Sequence, residues 1–224
     1  MAVCEIRDLN KTYIGEDNLI SAIINCSMEI NKGEFAVICG SKSSGKSTLL
    51  RILGGIERPT NGEVYINNQN IAALNDDELA IMRRKEIGFL FQSNSLITEL
   101  SVYENIIMPS ILAHKRYDKE FYEELVEQLE LKDILFYYPR QLSLLQLEHV
   151  AYARALINNP NIILVDEPSG NYKIDKAILD FLLNMVYLNH KTLIMVTNDL
   201  EISIFADRII RLQDGIIVEN KRIS

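Results

Sequence analysis

A glycine-rich segment has the residue types and the spacing to bind a phosphate group. Residues 40–47 read GSKSSGKS, which matches the pattern G-x-x-x-x-G-K-[ST]. The glycines let the backbone wrap closely around a phosphate, while backbone amides and the N-terminus of the following helix supply hydrogen-bond donors and positive potential. Lys46 would reach the β- and γ-phosphates of a nucleotide, and the Ser47 hydroxyl would bind Mg²⁺. The strand before this segment and the helix after it disfavour the alternative, a glycine-rich turn that matches by chance.

Two carboxylates follow another apolar run and could complete this site. Residues 162–165 read IILV, and Asp166 and Glu167 come directly after them. Ligands gather at the carboxyl ends of the strands in a parallel sheet, so these carboxylates would lie beside the phosphate-binding segment. We expect Asp166 to hold Mg²⁺ and Glu167 to accept a proton from an attacking water. The alternative is an ordinary acidic loop, which the presence of Lys46 makes the weaker interpretation.

Short apolar runs alternate with helix-period segments, and this alternation predicts an α/β fold with a parallel sheet that positions the candidate groups. Buried strands are predicted at residues 35–39, 162–165 and 192–196, and residues 49–53 have helical character. Residues 63–66 read as a strand, and residues 209–212 and 216–218 read as a hairpin. These pieces indicate an antiparallel β component beside the parallel core.

A long helical segment separates the first two core strands. Asn75 and Glu78 have the spacing of a capping box, and Asp118 could cap a helix whose apolar residues share one face. We expect an inserted helical subdomain from about residue 94 to about residue 159, within a single domain that spans residues 1–224.

Composition and charge exclude several classes of protein. The chain has 224 residues, 48% hydrophobic and 24% charged, which excludes disordered, collagen-like and disulfide-rich small proteins. A formal net charge of −8 disfavours nucleic acid as the main partner, because nucleic-acid affinity depends on a basic surface. Three cysteines without a C-x-x-C pair fit a reducing cytoplasm. With no leader pattern and no apolar stretch near the roughly 18 residues that span a bilayer, we expect a soluble chain.

Further motifs accompany the phosphate-binding segment. They are Gln92 after IGFLF, Leu142 with Ser143, ARAL at residues 153–156 and IILVDEP at residues 162–168. Together with residues 40–48 they resemble an ATP-binding cassette (ABC) transporter ATPase, over nearly the whole chain. Residues 78–84, 102–105, Pro109, Gly170 and Asn171 resemble the macrolide-exporter and lipoprotein-release branch (MacB/LolD/FtsE-like) of that superfamily.

The resemblance implies an architecture and a set of partners. The fold would be a P-loop NTPase with a RecA-like core, an antiparallel β subdomain and an inserted helical subdomain. The chain would bind ATP and Mg²⁺, and it would form a homodimer or a heterodimer with a second ABC ATPase. A transmembrane permease subunit would be its partner, so the chain would be cytoplasmic and peripheral at the inner face of the cell membrane.

The resemblance also assigns roles by position. Tyr13 would stack on adenine, unless it simply ends the first strand. Gln92 would be a catalytic residue and metal ligand that senses the γ-phosphate; a plain polar residue after a strand is its alternative. Residues 99–109 would face the membrane partner. The implied nucleotide-binding set is Tyr13, Gly40, Ser41, Lys42, Ser43, Ser44, Gly45, Lys46, Ser47, Thr48 and Ser143.

The chain departs from the family where residues act across the dimer. The family signature Leu-Ser-Gly-Gly-Gln reads LSLLQ at residues 142–146, so Leu144 and Leu145 replace glycines that let a helix N-terminus approach the opposing nucleotide. Lys173 replaces an aspartate, and Asn198 takes the catalytic position of a switch histidine with a shorter, uncharged side chain. Losing one transition-state donor costs on the order of a hundredfold to a thousandfold in rate. We therefore expect ATP binding to survive and hydrolysis to be weak.

Two other functions stay open. One is an ATP-dependent clamp or regulatory ABC protein that binds ATP but hardly hydrolyses it. The other is a different P-loop enzyme, such as a GTPase or a small-molecule kinase, against which the lack of an N-K-x-D guanine motif counts.

Overall fold

The computed structural model describes residues 1–15, 18–91, 96–166 and 174–223. The strands in these ranges are β1 (Ala2–Ile14), β2 (Leu19–Asn31), β3 (Phe35–Cys39), β4 (Asn61–Ile66), β5 (Gln69–Asn70), β6 (Ile87–Leu90), β7 (Ile162–Asp166), β8 (Thr192–Val196), β9 (Arg208–Gln213) and β10 (Ile216–Arg222). The helices are α1 (Lys46–Leu53), α2 (Asp76–Glu86), α3 (Val102–Leu112), α4 (Lys119–Gln128), α5 (Leu144–Leu156), α6 (Lys176–Tyr187) and α7 (Leu200–Ser203). None of the helices described is both long and apolar enough to cross a bilayer.

The central sheet has the strand order β10-β9-β3-β8-β7-β6. Its neighbouring strands run parallel, except that β10 pairs antiparallel with β9. β7 and β8 are buried along their whole length, which explains why they read as continuous apolar runs. The predicted C-terminal hairpin is present as β9 and β10, but it extends this central sheet and is not part of the separate antiparallel component.

The antiparallel component is a second sheet with the order β2-β1-β4-β5. Its inward side chains, such as Ile6 and Val64, share one apolar cluster with Leu49 of α1 and with Ile38 and Ile194 of the central sheet. The helix that follows the phosphate-binding segment is therefore fixed between two sheets.

The other face of the central sheet packs on α5 and α6. The residues on this face form a second apolar cluster. Along β3, Phe35 and Val37 belong to the second cluster, whereas Ala36 and Ile38 belong to the cluster shared with the antiparallel sheet. This division follows from the alternation of side chains along a strand. Because both faces are packed, the carboxyl ends of the strands form a rigid edge for the loops that carry the candidate residues.

Helices α3, α4 and α5 lie between β6 and β7, in the segment predicted to be a helical subdomain. Each begins at a side-chain cap, since Ser101, Asp118 and Ser143 accept hydrogen bonds from amides of the first turn. The Asp118 cap and the capping box of Asn75 and Glu78 before α2 are those that the sequence predicts. The subdomain limits at about 94 and 159 stay a prediction.

The buried side chain of Asn105 fastens residues 97–101 to α3. Its Oδ1 accepts a hydrogen bond from the Ile97 amide at 2.8 Å, and its Nδ2 lies 3.0 Å from the carbonyl oxygens of Ile97, Leu100 and Ser101. Asn105 itself is 0% exposed. One side chain thus satisfies several backbone groups of the segment that leads into the helical region.

Candidate functional site

The phosphate-binding segment forms the connection between β3 and α1. Gly45 precedes α1 with a φ of 99°, and a Cβ there would lie 2.2 Å from the Ala22 carbonyl oxygen. A Cβ on Gly40 would lie 2.1 Å from the Leu212 carbonyl oxygen. Both positions need glycine because the backbones of β2 and β9 approach the segment this closely. The amino end of α1, where a helix has amides without partners inside the helix, is thereby held at the carboxyl edge of the central sheet.

The ammonium group of Lys46 is held by the backbone of its own loop. Lys46 is 4% exposed, and its Nζ donates hydrogen bonds to the carbonyl oxygens of Gly40 at 2.9 Å and Ser41 at 2.8 Å. An ammonium has three N–H donors, so a third remains for another acceptor. The positive charge is therefore buried within the loop that would surround a phosphate.

A hydrogen bond joins Ser47 to Asp166 across the site. The Ser47 Oγ donates to Oδ1 of Asp166 at 2.8 Å, although the two residues are 119 positions apart in the sequence. Asp166 is the last residue of β7 and is 3% exposed. A hydroxyl and a carboxylate supply the hard oxygen ligands that suit Mg²⁺, which completes its shell with water and phosphate oxygens. The residues present fit a magnesium ion. The described ranges contain no cluster of three or more His, Cys, Asp or Glu residues that could hold a metal ion.

Asn198 contacts the phosphate-binding segment from the end of β8. Its Oδ1 accepts a hydrogen bond from the Gly40 amide at 3.1 Å, and its side chain is exposed. A cavity of about 400 Å³ opens here between Asn198, the start of the segment and the turn at Asp214. The contact is made by a neutral carboxamide, so it adds no charge to this side of the site.

Tyr13 lies on β1, and its hydroxyl hydrogen-bonds with Oγ1 of Thr48 at 3.2 Å. The Nζ of Lys11 lies 4.9 Å from the centroid of the Tyr13 ring. Burial raises the pKa of the Tyr13 hydroxyl above its ordinary value, which favours the protonated form. Sequence reasoning missed Lys11, because a register shift between Lys11 and Thr12 breaks the alternation that would otherwise relate Lys11 to Tyr13 along the strand.

The middle of the segment faces solvent. Ser41, Lys42 and Ser43 are exposed, and Ser43 has a φ of 64°, in the left-handed region that favours glycine. Ser44 is 1% exposed, and its Oγ has no hydrogen-bond partner in the described part of the chain. The Ser44 carbonyl oxygen accepts a hydrogen bond from the Gly215 amide at 3.1 Å, which ties the segment to the turn between β9 and β10.

Ser143 caps α5, and Leu144 and Leu145 begin that helix. The Gln146 amide donates to the Ser143 Oγ at 3.2 Å, and the Ser143 amide donates to Oε1 of Gln146 at 2.9 Å. Leu144 is 77% exposed and Leu145 is 46% exposed. The amino end of α5 therefore presents two apolar side chains, and the backbone amides of Ser143 and Gln146 each already donate to the other residue's side chain.

Two of the predicted catalytic residues, Gln92 and Glu167, lie outside the described residues. The same is true of Gly170, Asn171 and Lys173. The described part of the site is thus the segment itself with Tyr13, Asp166 and Asn198 around it.

The sequence matches proteins of the ABC transporter family. The sequence model of the ABC transporter family matches residues 23–170. The uncharacterized ABC transporter ATP-binding protein MJ1508 of Methanocaldococcus jannaschii is 42% identical over 221 residues, which cover 96% of this chain and 97% of that protein. The macrolide export ATP-binding/permease protein MacB of Bdellovibrio bacteriovorus is 37% identical over 224 residues, covering 98% of this chain and 34% of MacB. The chain therefore spans about a third of the length of MacB.

Solved structures give the same result. The dimeric structure of the ABC transporter cassette MJ0796, from M. jannaschii, matches with a TM-score of 0.92 and 37% identity over 99% of both chains. A post-hydrolysis state of MJ0796 bound to ADP and Pi matches with a TM-score of 0.91. The fold and the phosphate-binding segment define a P-loop NTPase. The chain belongs to the ABC transporter family, as an ATP-binding cassette of its MacB-like branch, and the ATPase assignment made from the sequence is confirmed.

Proposed function

We propose that this chain binds MgATP, hydrolyses it slowly and thereby powers or gates a separate membrane permease. The observation that carries the proposal is the 2.8 Å hydrogen bond between Ser47 and Asp166, beside the buried ammonium of Lys46. It supports nucleotide binding because the groups that hold phosphate and magnesium in P-loop sites lie together at the strand ends of one sheet.

Three residues of the chain would bind the triphosphate and its metal. Lys46 would direct its third N–H, and then those now given to Gly40 and Ser41, to oxygens of the β- and γ-phosphates. Ser47 and Asp166 would hold Mg²⁺, which neutralises charge on the phosphates when bound. The amino end of α1 would add backbone donors and the positive end of the helix dipole.

Other residues would place the base and the attacking water. Tyr13 would stack on adenine, Glu167 would accept the proton of the water, and Gln92 would sense the γ-phosphate and the metal. Asn198 would offer its amide N–H groups to phosphate where the family has a histidine. These assignments rest on the family pattern and on the positions of Tyr13 and Asn198 beside the loop.

Slow hydrolysis is proposed because the second half of the site is poorly suited to an anion. In this family the nucleotide lies between the phosphate loop of one copy and the signature loop of the other. Here the signature helix would bring Leu144 and Leu145 toward the γ-phosphate, and the Gln146 amide already donates to the Ser143 hydroxyl. Apolar bulk and paired groups replace donors that would stabilise charge in the transition state.

The partners follow from the same proposal. We propose a dimer of cassettes, formed either by two copies or with a different ABC ATPase, that lies peripherally at the inner membrane face against a permease. We further propose a single domain over residues 1–224 with a helical subdomain at about 94–159, in which residues 99–109 face the permease. The MacB name, which joins an ATP-binding part to a permease, supports this pairing.

The deciding experiment measures MgATP affinity by calorimetry and phosphate release on the purified chain. Lys46→Ala and Asp166→Asn are compared with Lys221→Ala, which removes the same charge as Lys46→Ala but from the exposed strand β10. We expect native binding, a loss of at least tenfold in affinity in the first two variants, and no change in Lys221→Ala. A native chain that binds no MgATP would overturn the proposal.

The second candidate is a clamp that binds ATP and holds a membrane complex in one state. The exposed leucines at the start of α5 favour it, because they weaken hydrolysis and leave the cis binding groups intact. Tight binding and ATP-induced dimerisation, with phosphate release no faster than in Lys46→Ala, would establish the clamp. Brisk release that Lys46→Ala abolishes would instead establish an ordinary transporter ATPase.

A further inference from the structure

Lys11 makes three contacts around the base-binding tyrosine. Its Nζ forms an ion pair with Oε1 of Glu57 at 2.9 Å and donates to the Arg58 carbonyl oxygen at 2.9 Å. The same Nζ lies 4.9 Å from the centroid of the Tyr13 ring. Only 15% of the Lys11 side chain is exposed, so its ammonium is held in a defined place.

This arrangement fixes the Tyr13 ring in two ways. The ammonium lies over one face of the ring, where the negative end of the ring quadrupole attracts a cation. The ring hydroxyl is tied to Thr48, which directly follows the Mg²⁺-binding Ser47 on α1. With one face taken by the cation and the far end tied to α1, the opposite face is the one that a planar base can use.

We propose that Lys11 is a positioning residue for nucleotide recognition, which holds the Tyr13 ring ready to stack on the purine of the nucleotide. The inference rests on the proposed function, since it assumes that the site binds a nucleoside triphosphate. Lys11 does not touch the nucleotide and acts through Tyr13. Stacking recognises the flat face of a base, so this device favours purine nucleotides over triphosphates without a base and does not by itself separate adenine from guanine.

The size of the effect follows from the contact that is lost. A partly desolvated cation over an aromatic ring contributes enough to change an equilibrium by about three- to tenfold. A ring that is fixed in advance also loses less freedom on binding. Lys11→Met should therefore raise the Kd for MgATP by about three- to tenfold, and Lys11→Arg should restore most of the affinity because a guanidinium also stacks on a ring.

The test compares two ligands, MgATP and inorganic tripolyphosphate with Mg²⁺, by calorimetry on the whole chain. Tripolyphosphate has no base, so Lys11→Met should leave its affinity within twofold of the native value. Lys221→Met is the matched control that removes the same charge from the exposed strand β10. In a Tyr13→Ala background, Lys11→Met should cause no further loss of MgATP affinity, because the two residues act as one unit.

Each alternative result has a definite meaning. If Lys11→Met weakens both ligands equally, or adds its full effect in the Tyr13→Ala background, Lys11 acts on the fold or on the phosphates and the inference is overturned. If Tyr13→Ala leaves MgATP affinity unchanged while tripolyphosphate still binds, the inference and the stacking role of Tyr13 are wrong, and the proposed MgATP binding at Lys46, Ser47 and Asp166 stands. If the native chain binds neither ligand, both are wrong.

Discussion

Replacing Leu144 and Leu145 by glycine is expected to raise the rate of ATP hydrolysis. The two residues occupy the first two positions of α5, directly after the Ser143 cap. Glycines there would remove apolar bulk and free the backbone, so that the amino end of the helix can approach the phosphate of the opposing nucleotide. A regained transition-state donor is worth on the order of a hundredfold in rate, and we expect the uncharged Asn198 to limit this recovery. We therefore expect at least a tenfold rise in kcat for the double variant.

The structure also bounds the loss of stability. Leu144 is 77% exposed and Leu145 is 46% exposed, so the buried parts of the two side chains together equal about three quarters of one fully buried leucine. Losing this apolar burial costs roughly 1–2 kcal/mol. Glycine in place of leucine costs about 0.8 kcal/mol more at each helical position. The free energy of unfolding should fall by about 3 kcal/mol, and a domain of ordinary stability stays folded after such a loss.

The assay is steady-state phosphate release at saturating MgATP over a series of protein concentrations, with urea unfolding in parallel. Leu144→Ala with Leu145→Ala is the matched control, because it removes most of the bulk but keeps the restricted backbone. It should recover less activity than the glycine pair. A glycine variant that is folded, binds MgATP and hydrolyses it no faster than the native chain would refute the reasoning about α5.

Three further predictions concern the described packing. Asn105→Ala should lower the free energy of unfolding by about 2–4 kcal/mol in urea, because buried backbone groups of residues 97–101 lose their partner; a loss below about 1 kcal/mol would contradict this. Arg208→Leu should lower the free energy of unfolding by about 3–5 kcal/mol, because it leaves Glu34 buried without its ion pair at 2.6 Å. Adding Glu34→Gln should recover part of this loss. A double variant less stable than Arg208→Leu would contradict the explanation. Burial raises the pKa of the Cys4 thiol to about 12 in the folded protein. In the unfolded chain the same thiol ionises near pH 9. The contribution of Cys4 to the free energy of unfolding should therefore decline as pH rises from about 9 to about 12. Mass spectrometry after maleimide treatment should accordingly find the partly exposed Cys39 modified before Cys4, and equal rates would show that Cys4 is not protected.

The central strands could be predicted from the sequence because their environment is uniform. β7 and β8 are buried on both faces, so continuous apolar runs mark them almost to the residue. The antiparallel sheet was harder to predict. β1 and β2 contain several register shifts, for example between Ile6 and Leu9, and each shift breaks the alternation that identifies a strand. The C-terminal hairpin was recognisable as a hairpin, but its place beside β3 depends on long-range pairing that a local pattern does not contain.

Some features of the candidate site could also be predicted from the sequence, and others could not. The spacing around Lys46 is local, and the rule that strand ends meet at one edge was enough to bring Asp166 to Ser47. The roles of Gln92 and Glu167 stay predictions. Lys11 on β1 contacts Glu57 and Arg58, which follow it by 46 and 47 positions in the sequence. No local sequence spacing could indicate these two contacts.

The hydrogen bond from the Gly215 amide to the Ser44 carbonyl oxygen affects how fast a nucleotide can bind. The Gly215 carbonyl oxygen in turn accepts the Ile24 amide at 2.8 Å, so the turn between β9 and β10 joins the phosphate loop to the antiparallel sheet. Ordering one residue of free backbone costs about 1–2 kcal/mol, and here that entropy is lost when the chain folds. Capture of a nucleotide should then approach the rate of diffusional encounter with a rigid receptor, without a slow ordering phase, and the amides of Gly215 and Ile24 should be among the slow exchangers in deuterium whether or not nucleotide is present.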